Sequence, residues 1–213
     1  MHTLVIFVGG AADKSSYGLF FGPYYNIKPV FDAVGEKFGG DRCYESIYVG
    51  FEEIFGDRRI SKNISSHITG SDVNKSDVDI YIVGHSLGGW NGAHLSRILT
   101  DMGFHVRMLI TIDPAGKGRF VYAVSSIYRK KPEPKADRWI NITSTSFSNF
   151  YDMVAALGGR WRPRSADVDH ITGLSHEDAG GMFTQAIPAA GGRSAFEILI
   201  NDISEAITKR FEL

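Results

Sequence analysis

The sequence has a single cysteine, Cys43, so no disulfide can form within the chain and nothing in it points to an oxidising compartment. It has no surplus of either charge. Its 23 Lys and Arg stand against 24 Asp and Glu, and a net charge of −1 gives no general pull toward nucleic acid or an anionic membrane. Long apolar runs are missing too: none approaches the ~20 residues of a membrane span, so no integral membrane association is expected. The N-terminal "TLVIFVGG" lacks the basic region of a signal sequence and its apolar run is short, so it reads as a first β-strand. The expected location is therefore cytoplasmic, with export by a route that needs no signal as the other option. Internal repeats and low-complexity tracts are also absent.

What is present is an ordinary globular composition, 43 % hydrophobic and 22 % charged, over a length that can bury one full core. A single domain over residues 1–213 is expected. Short β-branched runs alternate with helix-period segments. Strands are read at residues 3–8, 43–51, 78–83, 106–112, 139–146 and, in "ADVDHI", around 166–171. Cys43, placed by this reading in the second strand, is expected to be a small buried residue rather than a nucleophile. Between the strands, Ile27, Val30, Phe31, Val34 and Phe38 recur at helical spacing, as do Ile60, Ile64 and Ile68, and then Leu95, Ile98, Leu99 and Met102. "FYDMVAAL" (150–157) reads as a short helix. The C-terminal helix opens with Ser194 and Glu197 spaced as a capping box. This alternation implies an α/β domain with a mostly parallel central sheet and helices on both faces. In such sheets ligands bind beyond the carboxyl ends of the strands, which singles out the residues just after each strand.

One of those junctions is "VDIYIVGHSLGGWNGAH". A Ser with Gly at both ±2 positions arises by chance in roughly one chain in five of this composition, so the five residues alone say little. Their place between an apolar strand and an amphipathic helix is more telling. A nucleophile elbow belongs there, holding Ser86 in a strained conformation with its Oγ clear of the sheet edge. Gly84 and Gly88 leave the room such a turn needs. The alternative is a Gly-rich turn with an N-capping serine. With this stretch and "TIDPAG" (111–116), the chain resembles the α/β-hydrolase superfamily, in particular its serine esterases and lipases. The resemblance implies an α/β-hydrolase-type domain, here with little or no lid, since the segment from Ala115 to Arg138 is only 24 residues long. It also implies a Ser–acid–His triad in that chain order, without a cofactor.

For the acid, Asp113 directly follows the strand "MLITI", while Asp152 lies past a later strand inside an expected helix; Asp113 is preferred. The oxyanion donors implied by the resemblance are the backbone N–H of Leu87 and one N–H from "FVGGAAD", at Gly10 or Ala11; the family's common His-Gly pair is replaced here by Gly9-Gly10. For the base, His2, His67, His94 and His105 fall at the terminus, in helices or at the wrong end of a strand, and His85 flanks the nucleophile as a packing or solvent-edge residue. That leaves His170 and His176. His176, on a loop before a late helix, is preferred, and the choice turns on whether the last strand ends before or after His170.

A metal reading of the same stretch would use Asp167, Asp169, His170, His176, Glu177 and Asp178. It lacks a recognisable ligand framework, so no metal is expected. Tyr17, Phe20 and Phe21, with Tyr24 and Tyr25 of the same aromatic run 15–27, are candidate substrate-binding residues, as a cover, acyl pocket or hydrophobic rim next to the oxyanion loop; a loop packed onto the core is the alternative. The basic cluster Arg129, Lys130, Lys131, Lys135 and Arg138 reads as a solvated loop, with an anionic head group as its alternative partner. The functional expectation is a serine hydrolase of carboxylic esters, acting on a small-molecule or lipid ester with at most peripheral lipid contact and no nucleic-acid partner. Thioesterase, amidase or acyltransferase activity would use the same triad. A non-catalytic binding module retaining the fold is the alternative of a different class.

Overall fold

A computed structural model of the protein describes residues 2–16, 22–65, 67, 74–118 and 121–209. In these residues β1 (His2–Gly9), β2 (Tyr44–Gly50), β3 (Val78–His85), β4 (His105–Ile112), β5 (Arg138–Ser144) and β6 (Val168–Thr172) form one sheet in the order β2-β1-β3-β4-β5-β6. Every pairing is parallel, so the expected mostly parallel sheet is wholly parallel among the described residues. Parallel pairing sends each strand's carboxyl end to the same edge, which gathers the residues after β1, β3, β4, β5 and β6.

The period-two geometry of a strand splits the apolar residues between two faces. Leu4, Ile6 and Val8 of β1 and Ile80 and Ile82 of β3 face Trp90, Leu95 and Leu99 of α3 (Leu87–Asp101) and Ile60 of α2 (Asp57–Ile60). Val5 and Phe7, with Tyr81 and Val83, face Val30 and Val34 of α1 (Lys28–Phe38) and the C-terminal helices. β3 is buried along its whole length, as a central strand covered on both sides must be. Later in the chain come α4 (Val121–Val124), α5 (Phe150–Leu157), α6 (Ala179–Thr184) and α7 (Ala195–Thr208). The Ser194–Glu197 capping box is formed, with Glu197 N–H donating to Ser194 Oγ and Ser194 N–H to Glu197 Oε2.

The differences from the sequence reading are local. α2 continues as a π-helical turn over Ser61–Ser65, while Ile68 lies outside the described residues. Cys43 sits half-buried in the turn before β2, not in the strand. Tyr17, Phe20 and Phe21 lie outside the described residues. The basic segment is a loop as expected, and part of its charge is met locally: Lys135 pairs with Asp101 at 2.6 Å. None of the helices among the described residues is long and apolar enough to cross a membrane.

Two close approaches set the geometry at the carboxyl edge. A Cβ on Gly88 would run into the carbonyl oxygen of Val8, so only glycine lets the start of α3 close onto the end of β1. Beyond β1, Asp13 is buried, and its carboxylate lies within 3.4 Å of the Ile27 backbone N–H. Burial pushes this carboxyl up to about 6, against the pull of the Ile27 hydrogen bond. A raised folded-state value means that the native protein holds the proton more tightly than the unfolded chain, so folding stability declines as pH rises from about 4 through about 6. Asp13→Asn removes that decline. In thermal melts its Tm relative to wild type should climb between pH 4 and pH 7, and a difference flat with pH would contradict this account.

Candidate active site

Ser86 stands at the turn from β3 into α3 with φ 56° and ψ −125°, a conformation that costs a non-glycine residue about 1–3 kcal/mol. Its backbone is held from both sides: its N–H donates to Ile112 O at 3.1 Å, and its carbonyl accepts from Trp90 N at 3.2 Å and Ala115 N at 3.1 Å. Leu87, the next residue, begins the 15-residue α3, whose N-terminal end carries partial positive charge. A Cβ on Gly10 would lie 2.6 Å from Ser86 Cβ, so the glycine lets the loop after β1 press against the serine.

His176 Nε2 lies 3.0 Å from Ser86 Oγ, and its Nδ1 lies 2.6 Å from Asp113 Oδ2. Residues 63 and 90 positions from the histidine thus meet it on one line of hydrogen bonds. Nδ1 facing a carboxylate carries the hydrogen, which leaves Nε2 as acceptor for the serine hydroxyl. Asp113 is fully buried, directly after β4, with φ 37°. Its Oδ1 accepts from Ser144 N–H at 3.0 Å, and its Oδ2 accepts from both His176 and Arg160 Nε, the latter at 3.0 Å. Burial alone would raise this carboxyl. The hydrogen bond from His176 and the attraction its imidazolium form would exert, then Arg160 and Ser144, outweigh burial and hold it below the usual range.

The other sequence candidates go elsewhere. β6 ends at Thr172, so His170 lies inside the strand in register with Ile142 of β5, apart from the side chains that meet Ser86. His85 is buried rather than at a solvent edge: its Nε2 donates to His176 O at 2.8 Å and its ring packs 4.6 Å from the His176 ring. Burial, reinforced by His176, pushes it down to about 3, so it stays neutral. Asp152 does not touch the His176 ring; its Oδ1 accepts the His176 backbone N–H at 2.8 Å. Although buried, it is held well below the usual carboxylate range by that bond and by Ser146 and Ser148.

The residues of the metal reading turn to separate partners. Asp167 accepts from Trp139 N–H, Asp169 pairs with Arg162 and Asn141, Glu177 accepts from Asn149, and Asp178 caps α6. No group of three or more potential metal ligands gathers among the described residues.

Two clefts meet at Ser86. One, a cavity of about 170 Å³, is walled by apolar groups including Leu87, Val121, Val154 and Leu157, with Val124 at its rim 71 % exposed. The other lies on the His176 side, between Tyr24, Asn26 and Tyr151, and Ala11 borders both. Leu87, Ala11 and Tyr24 stood out in the sequence, whereas Arg160 and the walls at Val121, Tyr151, Val154 and Leu157 did not. Arg160 follows a Gly pair with no pattern around it, and the walls form only when α4 and α5 fold over the sheet edge.

No protein-family model and no curated protein matches the sequence. Among solved structures the chain is similar to a Lactobacillus plantarum WCFS1 protein proposed to be a cell surface hydrolase, at 12 % identity over 70 % of each chain with a TM-score of 0.44. It is similar to YbtT, a type II thioesterase of the yersiniabactin pathway, at 11 % identity over 96 % of this chain and 94 % of that one, TM-score 0.41. A fungal esterase of Rhizomucor miehei gives 16 % identity over 99 % of this chain and 76 % of that one, TM-score 0.42. Likeness at these values leaves function to be argued from the site itself.

The approach of Gly10 to Ser86 makes a direct expectation. Gly10→Ala should slow phosphonylation of Ser86 by a fluorophosphonate about 10²-fold, the scale of one lost oxyanion donor, while the melting curve stays cooperative. Labelling at the wild-type rate would show that the loop need not press on the serine.

Proposed function

We propose that the protein is a serine hydrolase that cleaves carboxylic esters through an acyl-enzyme, with Ser86 as nucleophile, His176 as base and Asp113 as the acid that orients it. The observation that carries this reading is the serine in a strained elbow, with His176 Nε2 at 3.0 Å and Asp113 2.6 Å beyond Nδ1. A buried serine hydroxyl is a weak nucleophile until a neighbouring base takes its proton. Here Oγ attacks the ester carbonyl as its proton passes to Nε2, and the imidazolium that forms is stabilised by the Asp113 carboxylate. The backbone N–H groups of Leu87 and Ala11 hold the oxyanion, with Gly10 packing the loop against the serine. Collapse of the tetrahedral intermediate breaks the bond to the alcohol oxygen, which takes the proton from Nε2. Water then attacks the acyl-enzyme by the same steps in reverse order and releases the acid.

This proton path also orients the substrate. A leaving group protonated by Nε2 must lie on the histidine side, in the cleft of Tyr24, Asn26 and Tyr151, so the acyl chain takes the apolar cavity. The cavity is small, apolar and open at its rim, which favours a short acyl chain over a long one.

Turnover of p-nitrophenyl esters tests this. Among acetate, butanoate, hexanoate and palmitate, kcat/KM should peak at butanoate or hexanoate, and Val154→Trp should shift the peak to acetate. Ser86→Ala and His176→Ala should each lose ~10³-fold or more, and His170→Ala less than about tenfold. Equal losses for His170→Ala and His176→Ala would overturn the assignment of the base.

A further inference from the structure

The proposed mechanism uses Asp113 and leaves Asp152 and Arg160 without a part, although both are packed into the same buried cluster. The Arg160 guanidinium reaches three acceptors: Asp113 Oδ2 through Nε at 3.0 Å, Asp152 Oδ1 through Nη2 at 3.1 Å and the Ser146 carbonyl through Nη1 at 2.9 Å. Both carboxylates are fully buried, and the arginine side chain is 16 % exposed. The two oxygens that bind Arg160 are also the two that bind His176. Asp113 Oδ2 takes the ring N–H, and Asp152 Oδ1 takes the backbone N–H. Arg160, Asp113, His176 and Asp152 therefore close a ring of hydrogen bonds.

Resting on the triad reading, we infer that Arg160 is a positioning residue for the base: it fixes His176 at ring and backbone at once and balances the charge of the two acids around it. The balance follows from counting. Two carboxylates and one guanidinium leave one negative charge beside a neutral imidazole, and the cluster becomes neutral when His176 takes the serine proton. Without the guanidinium the charge beside the resting imidazole would be −2, which favours the protonated ring over the free base. At buried separations of this size a nearby charge moves proton affinity by one unit or more. The fork geometry matters as well, because a lysine ammonium supplies the charge but cannot span three acceptors in one plane. The other groups around His176 are the neutral His85 ring, Tyr24 and Tyr151 of the cleft, and the adjoining Glu177, whose carboxylate accepts from Asn149. None of them replaces the missing positive charge.

The test is the pH profile of kcat/KM for p-nitrophenyl butanoate in the full-length protein, with Ser86→Ala as the control. Arg160→Gln should move the acid limb up by about one pH unit, with roughly three- to fivefold loss at pH 7 that is largely regained at pH 8.5. Arg160→Lys should keep the limb where wild type has it and lower the plateau about tenfold. Asp152→Asn, which keeps an acceptor for the His176 N–H but removes a negative charge, should move the limb down. A folded Arg160→Gln variant with the wild-type limb, whatever its plateau, overturns the inference. Should that variant fail to fold, an Arg160→Lys plateau equal to wild type, or an Asp152→Asn limb that does not move, overturns it. Turnover by Ser86→Ala at the wild-type rate would instead overturn the triad reading, which separates the two failures.

Discussion

The Asp113 carboxylate is the point at which four segments of the chain are tied together. It ends β4, its Oδ1 accepts the backbone of Ser144 at the end of β5, and its Oδ2 holds the His176 loop and the Arg160 side chain. A carboxylate with no exposed surface and no partners would be strongly disfavoured, so the fold depends on these donors as much as they depend on it. Removing one donor leaves a buried charge short of a bond. The parallel sheet makes the meeting possible, because it delivers the ends of β3, β4 and β5 and the loop after β6 to one edge.

Strain and packing support one another at that edge. Ser86 and Asp113 both hold positive φ, at 56° and 37°, and each is fixed by backbone hydrogen bonds to neighbouring strand ends. Beneath them α3 lies against β1 at Gly88. Trp90 donates its indole N–H to Tyr128 O and packs its ring on Trp161, tying the helix to the loops that wall the apolar cleft. The conformational cost of the elbow is offset by a well-buried core on both sides of the sheet. On the proposed reading, a rigid elbow is what keeps the serine hydroxyl within reach of the imidazole in the absence of substrate.

The sheet was legible in the sequence because strand and helix periods alternate cleanly, and a wholly buried strand such as β3 carries no polar alternation to obscure it. Ser86 and Asp113 were legible because each directly follows a strand, where local sequence fixes position. The histidine hinged on where β6 ends. Its end at Thr172 leaves His170 inside the strand and His176 on the loop beyond it. The parts that sequence could not supply depend on how loops return. Asp152 was weighed as a rival acid, yet its carboxylate binds the His176 backbone. His85 was read as packing or edge, and it is a buried ring against His176. Arg160 gave no signal, because its three acceptors lie 8 to 47 positions away in sequence and converge only when the turn after α5 folds back beside Ala115. Of the aromatic candidates, Tyr17, Phe20 and Phe21 fall outside the described residues and Tyr24 borders the cleft beside His176, while Tyr151 and the short helices supply walls that the sequence did not mark.

The central claim is that Ser86 is an activated nucleophile rather than a capping serine in a Gly-rich turn. Incubation of the purified protein with a fluorophosphonate, followed by peptide mass spectrometry, addresses it directly. The account predicts one phosphonyl adduct, on Ser86, formed in wild type and suppressed in His176→Ala. An unmodified Ser86 under conditions that label a known serine esterase to completion, or an adduct that forms equally fast without His176, would contradict it.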